Sequence, residues 1–436
     1  MRTSPTTRLL PPLSTDTLLA YTAAHFGKSL LWYTGELLLI FALTEYVELS
    51  ATAAGLSVAA GLLVSAGMGV FAAHRWRAGV SLAWAGRVQW RGMSLAAVTM
   101  SLLFLVPVLP PPARLPCVLL LSLPFRAAYA MGDVAQNTLL GLCRWPWRGA
   151  QGVSALRLIG SGLAALLMST AIGLLLHTGH HAGAATAMTV VGTVSTIAMT
   201  SSWWLRQTLH THTHTQHVSS PPADRSIASS RSHPRLPIVV IALLSLALPT
   251  FTKLAPYLAQ TLVISQRWGS ALLISYAIGS VVVQPLAARP PTSARQRLGY
   301  SGIALVGCGL LFALQTTRSV WPDAALALGV GMAAGSVGHW VWARHAELSM
   351  HYDPAHQARR FAMLTAVAQI ALALGSAVVG LLLHLYNDHD APQESLAWSM
   401  ALGPIACGLA CLLLAWSTRA FSLARRLPAE TTPTPL

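Results

Sequence analysis

Residues 206–235 read RQTLHTHTHTQHVSSPPADRSIASSRSHPR, the longest polar stretch in a chain where polar stretches are scarce. Its Ser, Thr, Pro and His content offers too little apolar surface to repay the entropy of ordering, so the sequence predicts a mobile linker. What flanks it decides the fold. Six apolar runs precede it, near 18–44, 52–73, 90–110, 116–142, 151–176 and 183–205. Six follow, near 237–263, 269–287, 299–317, 323–343, 361–385 and 397–418. Each run is about 20 residues long, enough for a helix to cross roughly 30 Å of hydrocarbon. The expected architecture is an all-α membrane protein with twelve transmembrane helices in two six-helix halves. The expected divisions are a cytoplasmic tail over 1–17, halves over 18–205 and 237–418, a cytoplasmic linker over 206–236 and a second cytoplasmic tail over 419–436.

Composition agrees. The 436 residues are 54% hydrophobic and 9% charged, with mean hydropathy +0.56, whereas a soluble domain carries about 25% charged residues. The runs leave no room for a soluble catalytic domain, and the chain has no P-loop, HExxH or GxSxG motif, so no enzyme is expected. The acids and histidine of YNDHD at 386–390 read as a solvated turn. The five cysteines lack CxxC spacing and read as packing residues, with neither a disulfide framework nor a zinc site. His210, His212, His214 and His217 in the linker could hold a metal, but with no second cluster or carboxylate partner they read in preference as a polar repeat, and no cofactor is expected.

A formal charge of +15 could suggest nucleic acid as a partner, but its distribution follows the membrane. Arg75, Arg77, Arg144, Arg148, Arg289, Arg359 and Arg425 fall in segments on one side, while the alternate segments hold only Arg114, Arg267 and Arg318. This is the positive-inside asymmetry. It predicts both termini in the cytoplasm of a multi-pass cell-membrane protein, most simply in a bacterial inner membrane, with the lipid bilayer as its partner and no nucleic acid.

Charges inside the apolar runs ask for a functional explanation, because each costs roughly 2.5 to 3.5 kcal/mol on insertion scales. Only two carboxylates lie there, Glu36 and Asp133, against four cations, Lys28, Arg126, Arg157 and Lys253; the chain's only lysines are Lys28 and Lys253. In HFGKSLLWYTGELLLIF (25–41), 100° per residue collects His25, Lys28, Tyr33 and Glu36 on one face. In FRAAYAMGDVAQNTLLGL (125–142), Arg126, Tyr129, Asp133, Gln136 and Asn137 form a stripe that cannot face lipid. It is expected to face a cavity in preference to another helix. Arg157 could snorkel to the cytoplasmic surface or act in the site. Lys253 lies in LALPTFTKLAPYLAQ (246–260), between two prolines that suit a bending, gating helix. The cationic excess favours an anionic or zwitterionic solute over a cation.

FGKS (26–29), YAMGDVAQNTLL (129–140), SALRLIG (154–160) and RRFAMLTAVAQIALALGSAVVG (359–380) resemble the glycoside-pentoside-hexuronide, melibiose-permease-like cation symporters of the major facilitator superfamily. The resemblance implies that Lys28 lines a sugar-like site, that Asp133 binds substrate and coupling cation, and that Arg157 lies near the substrate. Against the family pattern, Ser29 replaces an acid, Gln369 replaces a lysine, and GLLVSAGMGVF (61–71) lacks the acids that would bind sodium. The reading is a secondary transporter of a small polar solute, anionic, zwitterionic or sugar-like, that works by alternating access with a proton as coupling ion. Lys28, Tyr33, Arg126, Tyr129, Asn137, Arg157 and Lys253 are the expected substrate-binding residues, and Glu36 and Asp133 the expected proton carriers. The alternatives are a proton-antiport exporter of a metabolite or drug, and a non-transporting sensor or scaffold on the same fold.

Overall fold

The computed structural model describes residues 13–76, 79–175, 180–210, 235–261, 267–289, 293–315, 319–387 and 393–424. Among these, twelve helices are long and apolar enough to cross a membrane. In chain order they are α1 (Thr15–Glu45), α2 (Ala51–Arg75), α3 (Leu82–Leu103), α4 (Pro111–Leu142), α5 (Gly149–Leu175) and α6 (His180–His210). After the linker come α7 (Leu236–Thr261), α8 (Arg267–Val282), α9 (Ala294–Leu314), α10 (Val320–Ser349), α11 (Pro354–Asn387) and α12 (Gln393–Ala424).

Helix starts follow local chemistry. Ser14, Ser50 and Ser81 accept hydrogen bonds from the backbone N–H of Thr17, Ala53 and Trp84, and Ser293 forms a reciprocal capping box with Gln296, each satisfying amides the helix leaves open. Asp353 caps α11, accepting from the His356 N–H at 3.0 Å. Partial burial pushes its carboxyl upward, but the hydrogen bonds from His356 outweigh it and hold the group below its ordinary range.

These caps place several helix ends outside the apolar runs. α3 begins at Leu82 rather than near 90, α10 continues to Ser349 and α11 begins at Pro354. Hydropathy registers the lipid-crossing core, whereas the polar ends are fixed by caps and by contacts with neighbouring helices. Residues 206–210, assigned to the linker from composition, continue α6; 211–234 lie outside the described residues, as do His212, His214 and His217 and residues 388–390 of the YNDHD turn. α7 is one continuous helix through Pro249 and Pro256.

Each half has its own apolar core, around Leu31, Met93 and Phe125 in the first and Phe251, Phe312 and Val337 in the second. A third cluster joins the halves, setting Leu18, Tyr21, Leu139, Trp145 and Val153 against Ala346 and Phe361. It sits at the end of the bundle that carries Arg144, Arg148 and Arg289, the arginine-rich end. Polar ties reinforce it. Arg148 donates to the Ala288 carbonyl at 2.9 Å, and Gln151 donates to Glu347 at 2.8 Å while its carbonyl oxygen lies 3.0 Å from His339 Nε2. The halves also pack along α2 with α11 and α5 with α8. The bundle is therefore closed at its arginine-rich end.

Candidate functional site

The site begins with a defect in α1. Residues Thr34–Leu38 form a π-helical turn between α-helical segments, a local widening often found at functional positions. The Gly35 carbonyl accepts a hydrogen bond from Arg126 Nη2 at 3.1 Å, and the Glu36 carboxylate accepts from the same nitrogen at 2.8 Å. Arg126 reaches α1 through a slot in α2. A Cβ at Gly61 would lie 2.9 Å from Arg126 Cγ, so glycine makes room for the arginine shaft. Trp32 and Phe125 flank the guanidinium, each ring centroid 5.3 Å from its central carbon.

The second oxygen of Glu36 faces the other half of the molecule. Lys253 Nζ of α7 lies 3.5 Å from Glu36 Oε2 and donates to Ser376 Oγ of α11 at 2.8 Å. One carboxylate thus serves a cation from each half. The Lys253 side chain keeps 19% of its surface accessible, against 6% for Glu36 and 1% for Arg126, so the cluster meets open space through its lysine.

A second ion pair lies nearer the arginine-rich end. Lys28 Nζ is 2.5 Å from Asp133 Oδ1 and 3.3 Å from Asn137 Oδ1, while Asn137 donates to Asp133 Oδ2 at 2.9 Å. Asp133 and Asn137, four residues apart on α4, hold the ammonium between them. All three side chains are buried. Gln136, on the same helix, donates to the Tyr21 carbonyl at 3.4 Å.

Arg157 does not snorkel. It is buried, its Nε lies 3.3 Å from His25 Nε2, and its guanidinium stacks 3.4 Å from the ring centroid of Trp342 on α10. No carboxylate lies within ion-pair distance of it among the described residues, and its Nη1 has no hydrogen-bond partner there. His25 Nε2 also lies 2.9 Å from Ser161 Oγ, which is 2.9 Å from Ser29 Oγ. Tyr129 packs on Trp32 with ring centroids 5.5 Å apart. Tyr33 is half-buried beside Glu36 and close to Tyr276 of the other half.

All nine residues singled out in the sequence therefore lie within the bundle, but not as one face and one stripe around a chamber. His25, Lys28 and Glu36 turn to three different partners, on α5, α4 and α4 with α7; His25 and Lys28 lie on the regular α-helix before the π turn, and Glu36 lies within it. The stripe on α4 packs against α1, where Arg126 meets Glu36 and Asp133 meets Lys28; these side chains are enclosed by helix contacts instead of lining an open cavity. Lys28 and Lys253, each in the first helix of its half, bind different carboxylates. Ser376, Ser161, Trp32 and Trp342 were not singled out, since a neutral side chain in an apolar run carries no signal of the charge it meets.

No protein-family model matches the chain, and no curated relative does. Solved structures match over nearly its whole length. A proton:xylose symporter bound to 6-bromo-6-deoxy-D-glucose is 14% identical, with TM-score 0.65, covering 92% of this chain and 95% of the symporter. A bacterial homologue of the iron transporter ferroportin, in an outward-facing state with soaked iron, is 13% identical with TM-score 0.68, covering 93% and 99%. The human organic anion transporter MFSD10 is 13% identical with TM-score 0.57, covering 93% and 100%. The first of these names its superfamily, and identities of this size speak to architecture alone: the chain has the twelve-helix fold of the major facilitator superfamily.

Proposed function

We propose that this protein is a secondary transporter that moves a small polar solute across a membrane by alternating access, coupled to protons. The observation that carries the reading is the Glu36 carboxylate, held at 2.8 Å by Arg126 of its own half and at 3.5 Å by Lys253 of the other. A pair that joins two rigid halves near mid-membrane must break when they rock apart, and a proton on Glu36 weakens its hold on both cations. Asp133 is the second proton carrier, with Lys28 as its counter-charge. By the positive-inside rule the arginine-rich end lies in the cytoplasm, most simply of a bacterial cell, with both termini there. The conformer is then closed to the cytoplasm.

Substrate selection follows from the cations. Lys28, Arg126 and Lys253 have carboxylate partners, whereas Arg157 has none among the described residues; like Arg126 it leaves Nη1 without a partner there, in its case next to His25 and Trp342. An anionic or zwitterionic solute, or a sugar-like one rich in acceptors, supplies what that donor lacks. Tyr33, Tyr129 and Asn137 are the further hydroxyl and amide groups assigned to the solute, to be reached when the halves part. The test is a thermal-shift screen of purified protein against sugars, organic acids, amino acids, peptides and organic cations. A solute at a hundred times its Kd stabilises by about 2.7 kcal/mol. Stabilisation by acidic, zwitterionic or sugar-like compounds and not by cations is expected, and stabilisation by organic cations alone overturns the assignment.

A further inference from the structure

At the arginine-rich end, α9 and α12 diverge. The two helices cross tightly at Gly302 and Gly408, where a Cβ on either residue would fall under 3 Å from the other's carbonyl oxygen. One turn before Gly302 the packing loosens, since a Cβ at Gly299 would meet only that of Ala415, at an ordinary contact distance of 3.9 Å. The divergence opens a groove of about 510 Å³. Its floor is Gly299 and Ala415, and its walls are Tyr300, Ile303 and Trp416, each more than 60% exposed. Its rim carries Ser293, Gln296 and Arg295, and Arg295 has no ion pair or hydrogen bond among the described residues.

We propose that this groove is a binding site for one anionic phospholipid, with an acyl chain along Gly299 and Ala415 and the phosphodiester on Arg295. Three features select that occupant. A slot floored by small residues and walled by aliphatic and aromatic groups on the lateral surface of a membrane helix pair fits a hydrocarbon chain, which inorganic phosphate does not have. A guanidinium without a partner among the described residues, at the groove's polar mouth, prefers a headgroup with net negative charge over a zwitterionic one. Tyr300 and Trp416 are the amphipathic rings that settle at headgroup depth. The proposal is independent of the transport reading.

The test uses native mass spectrometry of the full chain in detergent, with phosphatidylglycerol and phosphatidylcholine of matched acyl chains added in equal amounts. The wild type is expected to retain phosphatidylglycerol preferentially. Arg295→Gln, at an exposed position that leaves the fold alone, is expected to weaken that retention about fivefold, the worth of one arginine at an anionic surface. Gly299→Leu fills the floor without a backbone clash and is expected to remove retention of both lipids while the protein stays monodisperse. Equal retention of the two lipids by the wild type overturns the proposal, as does unchanged retention by Arg295→Gln. Displacement of phosphatidylglycerol by equimolar inorganic phosphate also overturns it, and so does a lipid-free wild-type dimer that Gly299→Leu splits.

Discussion

Replacing Lys28 by Met is expected to lower the unfolding free energy by about 3–5 kcal/mol, the cost of leaving one member of a buried ion pair without its counter-charge. The Lys28 side chain is 2% exposed and that of Asp133 9%, and they meet at 2.5 Å, so water screens neither. Adding Asp133→Leu to Lys28→Met is expected to restore part of the loss, because a buried pair replaced by apolar groups of similar volume is often neutral or better. Recovery stays incomplete by about 1–3 kcal/mol, since Asn137 then loses both the acceptor at Asp133 Oδ2 and the Lys28 donor. Denaturant unfolding in mixed micelles measures the cycle. A loss below about 1 kcal/mol for Lys28→Met, the size seen for exposed pairs, would mean that the pair is hydrated and not structural.

The same double variant separates structure from transport. With the solute identified by the thermal-shift screen, Asp133→Asn and Glu36→Gln are each expected to reduce accumulation driven by an imposed pH gradient to background. Counterflow exchange of labelled for unlabelled solute is expected to persist. An amide keeps the size and one acceptor of the acid but cannot release a proton. Lys28→Met with Asp133→Leu is expected to be stable and equally uncoupled. The magnitude at Glu36 can be bounded. At an effective dielectric of about 20, a full charge pair at 3.5 Å is worth about 5 kcal/mol of gross Coulomb attraction, much of it offset by desolvation. A proton that removes even part of this shifts a two-state equilibrium by more than tenfold. Gradient-driven accumulation retained by both single variants would remove the carboxylates from the coupling reaction.

The twelve helices were legible because a continuous apolar run of about 20 residues has few other uses, and the alternation of arginine between loops follows from their placement. The ends of α3, α10 and α11 were less so, since Ser81 and Asp353 act locally while hydropathy averages over a window. Charged residues of the site were legible individually. A lysine or aspartate inside hydrocarbon announces itself by its cost, and each one found a partner inside the bundle, as that cost demands. Their pairing was not. A helical wheel gives the direction of a side chain but not the identity of what stands opposite, so the sequence could not say that Arg126 crosses a slot at Gly61 to reach Glu36. Nor could it foresee that Arg157 turns to Trp342. The π turn at Thr34–Leu38, which contains Glu36, was not read from the sequence either. Ser376 shows the limit most clearly, since a serine in α11 is unremarkable until Lys253 is placed 2.8 Å from it.

The Glu36 bridge makes a prediction about motion that needs no solute. Trp147, between α4 and α5, and Tyr352, between α10 and α11, are exposed residues of opposite halves at the closed end. Nitroxide labels at these two positions, in a background without Cys117, Cys143, Cys308, Cys407 and Cys411, report the separation of the halves by pulsed electron-electron resonance. In reconstituted wild-type protein at neutral pH the distance distribution is expected to be dominated by the short separation of this structure. Acidification and Glu36→Gln are each expected to populate a second, longer one. A single short distance that neither acid nor Glu36→Gln alters would contradict the account, because the carboxylate shared between the halves would then have no part in holding them.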